Sequence, residues 1–259
     1  MNKKNLIRIF FILVIIVSGV IYYVESTKNV DPPEPDIYQP LPSELETNES
    51  ELEEVTVNNF RFKLAPDVDF AAERKKYNNN DIIARLEIPD LFNVLIVKGT
   101  DNSYYLNHSI KKEYDIRGTE FIDYRVNPTS KQVNIFGHNS RDPNIKVAFL
   151  KLEKYLDSNY MNQHPYIILQ YEGGKSLYEI ISIKEVDEGN NQHMNVSYTG
   201  EEFLKHMVSL TNNPGGGYSH YKRNVSYNAD SEILVLQTCS HHKDHAVYII
   251  TAIKQNYIF

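Results

Sequence analysis

The sequence predicts a mainly β protein: an eight-stranded β-barrel with a few short helices, preceded by one transmembrane helix and a disordered tether. Three observations carry that reading. Eight short runs rich in β-branched and aromatic residues lie between turn residues from position 82 to position 253. A charge-free apolar segment lies near the N-terminus, and a proline-rich acidic stretch separates it from the body.

Residues 1–24 form the cytoplasmic stub and anchor. Ile9 to Val24 run without a charge, and Leu6 and Ile7 extend the apolar stretch past Arg8, whose side chain can snorkel toward the headgroups. Lys3, Lys4 and Arg8 all precede the segment, so the positive-inside bias leaves the N-terminus in the cytoplasm and exports the rest. A cleaved signal peptide is the competing reading, but Val17-Ser18-Gly19 is a poor cleavage site before bulky Ile21, Tyr22 and Tyr23. Either way the body lies outside the membrane.

Residues 25–66 read as an extracellular tether. They hold six of the eleven prolines and the acidic run from Glu44 to Glu54, a composition that buries too little apolar surface to offset chain entropy. Residues 25 to 54 alone carry a net charge of −9, against −7 for the whole chain. From residue 55 onward, 23 basic side chains face 24 acidic ones. The body is near neutral and has no nucleic-acid footprint.

Residues 67–259 form the folded domain. Phe70 to Tyr77 reads as a short helix stopped at Asn78. The strands follow as Ile82 to Ile88, Val94 to Val97, Glu120 to Tyr124, Gln132 to Phe136, Tyr166 to Tyr171, Leu177 to Val186, Glu232 to Gln237 and Ala246 to Ile253, paired mostly antiparallel. Apolar residues three and four apart predict helices over 148–156 and 200–210.

The chain has a single cysteine, Cys239. An unpaired exported thiol is an inert core residue, an intermolecular link or a nucleophile. Cys239 ends the apolar run ILVLQTCS where a strand meets the polar loop HHKDH, which places it at a barrel rim and suits chemistry. Nine histidines compete to serve it, and His138 stands out because it opens a loop where the strand VNIF ends at Gly137. His241 and His245, four apart beside Asp244, offer a weaker metal alternative, since that spacing aligns ligands on a helix rather than a loop.

IFGHNS at 135–140 and LVLQTCS at 234–240 resemble the histidine and TLxTC motifs of sortases, the membrane-anchored cysteine transpeptidases of Gram-positive surfaces. DIIARLEIP, VKGTDNSYYLNH, GTEFIDYR and HPYIILQYEGGKSLYEI resemble class B segments in order and spacing. The resemblance implies that Cys239 attacks the carbonyl of a threonine in a C-terminal sorting signal, of Asn-Pro-x-Thr type, and forms a thioacyl enzyme. His138 then protonates the leaving amine and deprotonates the incoming one, from a peptidoglycan precursor or a pilin lysine. Leu236 and Thr238 would shape the substrate groove. No cofactor or metal is implied.

The chain departs from the family at one position that matters. Sortases carry an arginine at the start of the last strand to stabilise the oxyanion; here that place is Val247, and no arginine follows Cys239. Losing one preorganised donor costs about 10²- to 10³-fold in rate. Lys243, His245 and Arg125 are the candidate substitutes. The first threonine of the motif is replaced by Val235. Retention of Cys239 and His138 favours an active transpeptidase, whereas Val247 motivates the alternative of a catalytically silent sortase-fold assembly partner. A cysteine hydrolase is a third reading.

Overall fold

The computed structural model describes residues 36–37, 39–190 and 194–259. The expected anchor, the first part of the tether and His193 lie outside them. Among the described residues no helix is long and apolar enough to cross a membrane.

Among the described residues eleven strands are present: β1 Glu53–Val57, β2 Phe60–Leu64, β3 Ile82–Ile88, β4 Phe92–Val97, β5 Phe121–Ile122, β6 Gln132–Phe136, β7 Tyr166–Tyr171, β8 Gly174–Asp187, β9 His220–Lys222, β10 Ile233–Cys239 and β11 Ala246–Lys254. The large sheet runs β11-β10-β6-β5-β4-β3-β7-β8-β9, and β11 also pairs with β8. That last pairing closes eight strands into a barrel and leaves β9 outside it. Two neighbouring pairs, β10 with β6 and β4 with β5, are parallel and the rest antiparallel.

Side-chain alternation divides the apolar residues between two sides of the wall. Ala84, Leu86, Ile96, Ile135, Leu169, Ile180, Leu234 and Leu236 share one cluster drawn from strands all round the barrel, which is its interior. Their neighbours in sequence form outer clusters instead. Ile233, Val235, Val247 and Ile249 pack under Phe203, Met207 and Leu210 of the helix Gly200–Thr211. Leu95, Val97, Phe121 and Phe136 pack with Phe70 and Tyr105. Because both faces of the wall are covered, the strands read as continuous apolar runs rather than alternating ones.

The helices follow their sequence signals with one change of type. Phe70–Tyr77 (α1) is capped by Asp69, whose carboxylate accepts the Ala72 N–H, and ends at Asn78 in the left-handed region. Ala148–Leu156 is a 3₁₀ helix that buries Ala148, Phe149, Leu152 and Tyr155. Asp157 then caps a short helix, Ser158–Gln163 (α2). Gly200–Thr211 is α3.

The tether expected over 25–66 requires correction in its second half, because the compact unit begins at Ile37. Leu41 and Ser43 are buried, and the chain here adds to the edge of β4, with Leu45 N–H bonded to the Asn93 carbonyl and Leu95 N–H to that of Ser43. Strands β1 and β2 form a hairpin on Asn58 and Asn59, both at positive φ, which matches the right-handed strand twist. Val55, Val57, Phe62 and Leu64 point inward onto Tyr166, Ile168 and Leu177. Glu53 and Glu54 precede Val55 and face water.

Candidate active site on the outer barrel wall

Strand pairing brings the sequence-predicted pair together. In the parallel ladder of β6 and β10 the last rung is Phe136 opposite Gln237, so His138 and Cys239 stand at the same offset, two residues beyond it on neighbouring strands. The ladder is prolonged by Gly137 N–H bonding to the Gln237 carbonyl at 3.2 Å and by the Thr238 hydroxyl donating to the Gly137 carbonyl at 2.8 Å. Both side chains line a cavity of about 230 Å³ with Leu106, Gln237 and Val247.

The parity of the strands sets which way this site faces. Leu234 and Leu236 point into the barrel, so Val235, Gln237 and Cys239 point out. Ile135 points in, so Phe136 and His138 point out. The site therefore lies on the outer wall near the strand ends, not across the barrel opening. Leu236 requires correction as a groove residue: it is 1% exposed and belongs to the interior core.

Gly137 faces the opposite way from His138 and must be glycine for a steric reason. A Cβ there would stand 2.7 Å from the Phe149 ring and 3.1 Å from Glu120 Cγ. Beyond it, Asn139 ties the histidine loop to the cysteine strand: its amide donates to the Cys239 carbonyl at 3.0 Å and to Glu153 at 2.8 Å, while its oxygen accepts the Ser140 N–H. Neither Asn139 nor Gln237 was singled out from the sequence, although the parity of β10 marks Gln237 once its buried face is known.

Protonation follows from the hydrogen bonds. The Leu106 carbonyl lies 2.6 Å from His138 Nε2; a carbonyl can only accept, so Nε2 donates this bond and Nδ1 is the nitrogen left to exchange a proton. Desolvation pushes the Cys239 thiol above its ordinary range, and the Glu188 carboxylate pushes it the same way. The thiol is thus mainly protonated at neutral pH and needs a base to become a nucleophile.

The three candidate substitutes for the missing arginine are all engaged elsewhere, and none lines the cavity. Arg125 forms a fork on Asp123, at 2.8 and 2.5 Å, and donates to the Met194 carbonyl. Lys243 donates to the Gly216 carbonyl and lies 3.8 Å from the centre of the Tyr218 ring. His245 Nδ1 meets Glu188 at 2.9 Å. Val247 lies opposite Cys239 on β11, 5% exposed. Among the described residues no group of three histidine, cysteine or carboxylate side chains is placed to hold a metal ion.

Comparison with known proteins matches this geometry to one fold. No protein-family model matches the chain. Sortase B of Staphylococcus aureus is 21% identical over 238 residues, covering 91% of this chain and 88% of the relative. Sortase B of Clostridium perfringens superposes with a TM-score of 0.62 at 24% identity, covering 72% of this chain and all of that one. A substrate complex of Staphylococcus aureus sortase B gives a TM-score of 0.59 at 19% identity over 71% of this chain and 83% of that one. The resemblance to class B sortases carried by the short motifs is therefore matched along nearly the whole chain and in the barrel itself.

Proposed function

Taking the sortase fold and the class B resemblance as premise, we propose that this chain is a cysteine transpeptidase acting on exported proteins. The Cys239 thiol gives its proton to His138, and Sγ adds to the threonine carbonyl of a C-terminal sorting signal. The C–N bond breaks, the amine leaves with a proton from the His138 imidazolium, and a thioacyl enzyme remains. A second amine, from a peptidoglycan precursor or a pilin lysine, loses a proton to His138 and takes the acyl group. The observation that carries this reading is the matched offset of Cys239 and His138 on neighbouring strands, with both side chains on one cavity. Thr238 acts indirectly, holding the Gly137 carbonyl beside the histidine.

A single-pass N-terminal helix would hold the domain on the outer face of the membrane, where both substrates are found. The test is mass spectrometry of Cys239 after incubation with Asn-Pro-x-Thr peptides. An adduct in the wild type that is lost in Cys239→Ala supports catalysis, and its capture by an added amine rather than by water separates a transpeptidase from a hydrolase.

Val247 favours one other reading, a silent sortase-fold protein that binds substrates as an assembly partner. That reading expects peptide binding with neither adduct nor cleavage, and expects both to emerge in Val247→Arg.

A further inference from the structure

Beyond the backbone bond from Gly137 N–H to the Gln237 carbonyl, side chains hold together the two chains that carry His138 and Cys239. On the thiol side, the peptide after Cys239 is tied at three points. Its carbonyl accepts from the Asn139 amide at 3.0 Å, and its N–H, on Ser240, donates to the Ala246 carbonyl at 2.8 Å. The Ser240 hydroxyl donates to Glu185, a buried carboxylate that also accepts the Ser219 N–H at 3.2 Å. On the histidine side the tie is Asn139 itself. An asparagine amide can be turned end for end, and its partners decide which way it lies. Asn139 meets two acceptors, the Glu153 carboxylate at 2.8 Å and the Cys239 carbonyl, and one donor, the Ser140 N–H at 2.8 Å. Turned about, it would set its oxygen against both acceptors. Of these three partners Glu153 carries the charge, and a hydrogen bond to a charged group is about twice as strong as a neutral one. Glu153 is itself held firmly, because the 3₁₀ period of three sends Phe149, Leu152 and Tyr155 of its helix into the barrel interior.

We propose that Glu153 is a positioning residue for the pair: its carboxylate accepts one hydrogen of the Asn139 amide and thereby aims the other at the Cys239 carbonyl, holding the histidine loop in register with the thiol strand. Glu153 acts through Asn139 and not on the reacting atoms. The thiol strand keeps its ties to Ala246 and Glu185 whatever stands at 153, so the part that Glu153 places is the loop that opens with His138. The inference rests on the reading proposed above, acyl transfer at Cys239 with His138 as base, but not on the identity of the acyl group.

The test measures acylation of Cys239 by p-nitrophenyl acetate in the full chain near neutral pH. The S–C bond forms, the ester C–O bond breaks, p-nitrophenolate departs and His138 takes the thiol proton. Alkylation by iodoacetamide runs in parallel, at a pH where the thiol ionises without a base. The proposal expects Glu153→Leu to acylate about tenfold or more slowly with alkylation unchanged, because a misplaced base loses orientation while the thiol does not move. Glu153→Gln, which keeps an acceptor oxygen for Asn139, should recover most of the rate. In the Asn139→Ala background Glu153→Leu should cost nothing more, since residues that act through one link do not add. Acylation at the wild-type rate in Glu153→Leu overturns the proposal. So do additive losses in the double variant, equal losses in the leucine and glutamine variants, a parallel fall in alkylation, or a wild type that the ester cannot acylate. A wild type that acylates with ester in a Glu153-dependent way but forms no adduct with sorting peptides counts against the proposed function alone.

Discussion

Glu120 offers the sharpest test of how the barrel supports its site. Its side chain is 1% exposed and lies directly under Gly137, the residue before His138. The Ser43 hydroxyl donates to it at 3.2 Å, and the β4-edge segment also brings Glu44 nearby. Burial raises its pKa from 4.5 to about 7. The folded state therefore keeps a proton that the unfolded chain releases. Stability on this account is full below pH 4.5, falls as pH rises toward 7, and stays lowered above it. A rise of that size, at about 1.4 kcal/mol per unit, amounts to about 3 kcal/mol. Glutamine at 120 keeps the shape and never ionises. The stability of Glu120→Gln relative to wild type is expected to rise by about 3 kcal/mol between pH 4.5 and 8, read from urea denaturation midpoints across that range. Two parallel stability curves would refute the reasoning, because the carboxyl would then titrate alike in both states.

Three further outcomes follow from the site geometry. Glu188→Gln removes a negative charge that raises the Cys239 pKa, so the pH midpoint of Cys239 alkylation should fall, and a midpoint that rises or stays put contradicts the electrostatic account. Asn139→Ala cuts the link between the histidine loop and the Cys239 carbonyl, and should lower kcat for adduct formation by about tenfold or more with KM little changed, since a misplaced dyad loses orientation rather than binding. Gly137→Ala forces a Cβ against Phe149 and Glu120 and should lower the thermal midpoint and acylation together, whereas overpacking of this kind elsewhere in the barrel should lower the midpoint alone.

What the sequence displayed and what it concealed divide along physical lines. Ile82–Ile88, Gln132–Phe136 and Tyr166–Tyr171 were readable to the residue because wall strands covered on both faces are apolar throughout and stop at turn residues. The hairpin of β1 and β2 was hidden by its own outer face: Glu53, Glu54, Arg61 and Lys63 are exposed and made the stretch look like solvated coil. The signal was the period-two alternation of Val55, Val57, Phe62 and Leu64 around Asn58–Asn59. The positions of Cys239 and His138 were legible because each stands where a strand gives way to a loop. The direction they face was not, since a strand apolar on both sides gives no parity until its interior partners are known. The same ambiguity hid the inward direction of Leu236, which the resemblance alone had placed in the groove.

That parity also explains how a valine can occupy the place beside the thiol. Val247 belongs to the outer cluster with Val186, Val235 and Ile249 beneath α3, and it lines the cavity at the same time. The position is thus half packing site and half active-site wall. An arginine there would lay its aliphatic stem on the cluster and raise its guanidinium into the cavity, so Val247→Arg is sterically reasonable and its stability cost is that of exchanging a buried branched side chain for a stem. With valine, the β11 side of the wall beside the thiol is apolar. A histidine or lysine donor would impose its own titration on the rate. Lys243 and His245 are engaged outside the cavity, so the acylation profile of the wild type should carry no limb from either, and a limb that vanishes in Lys243→Met or His245→Gln would return the role to one of those loop cations.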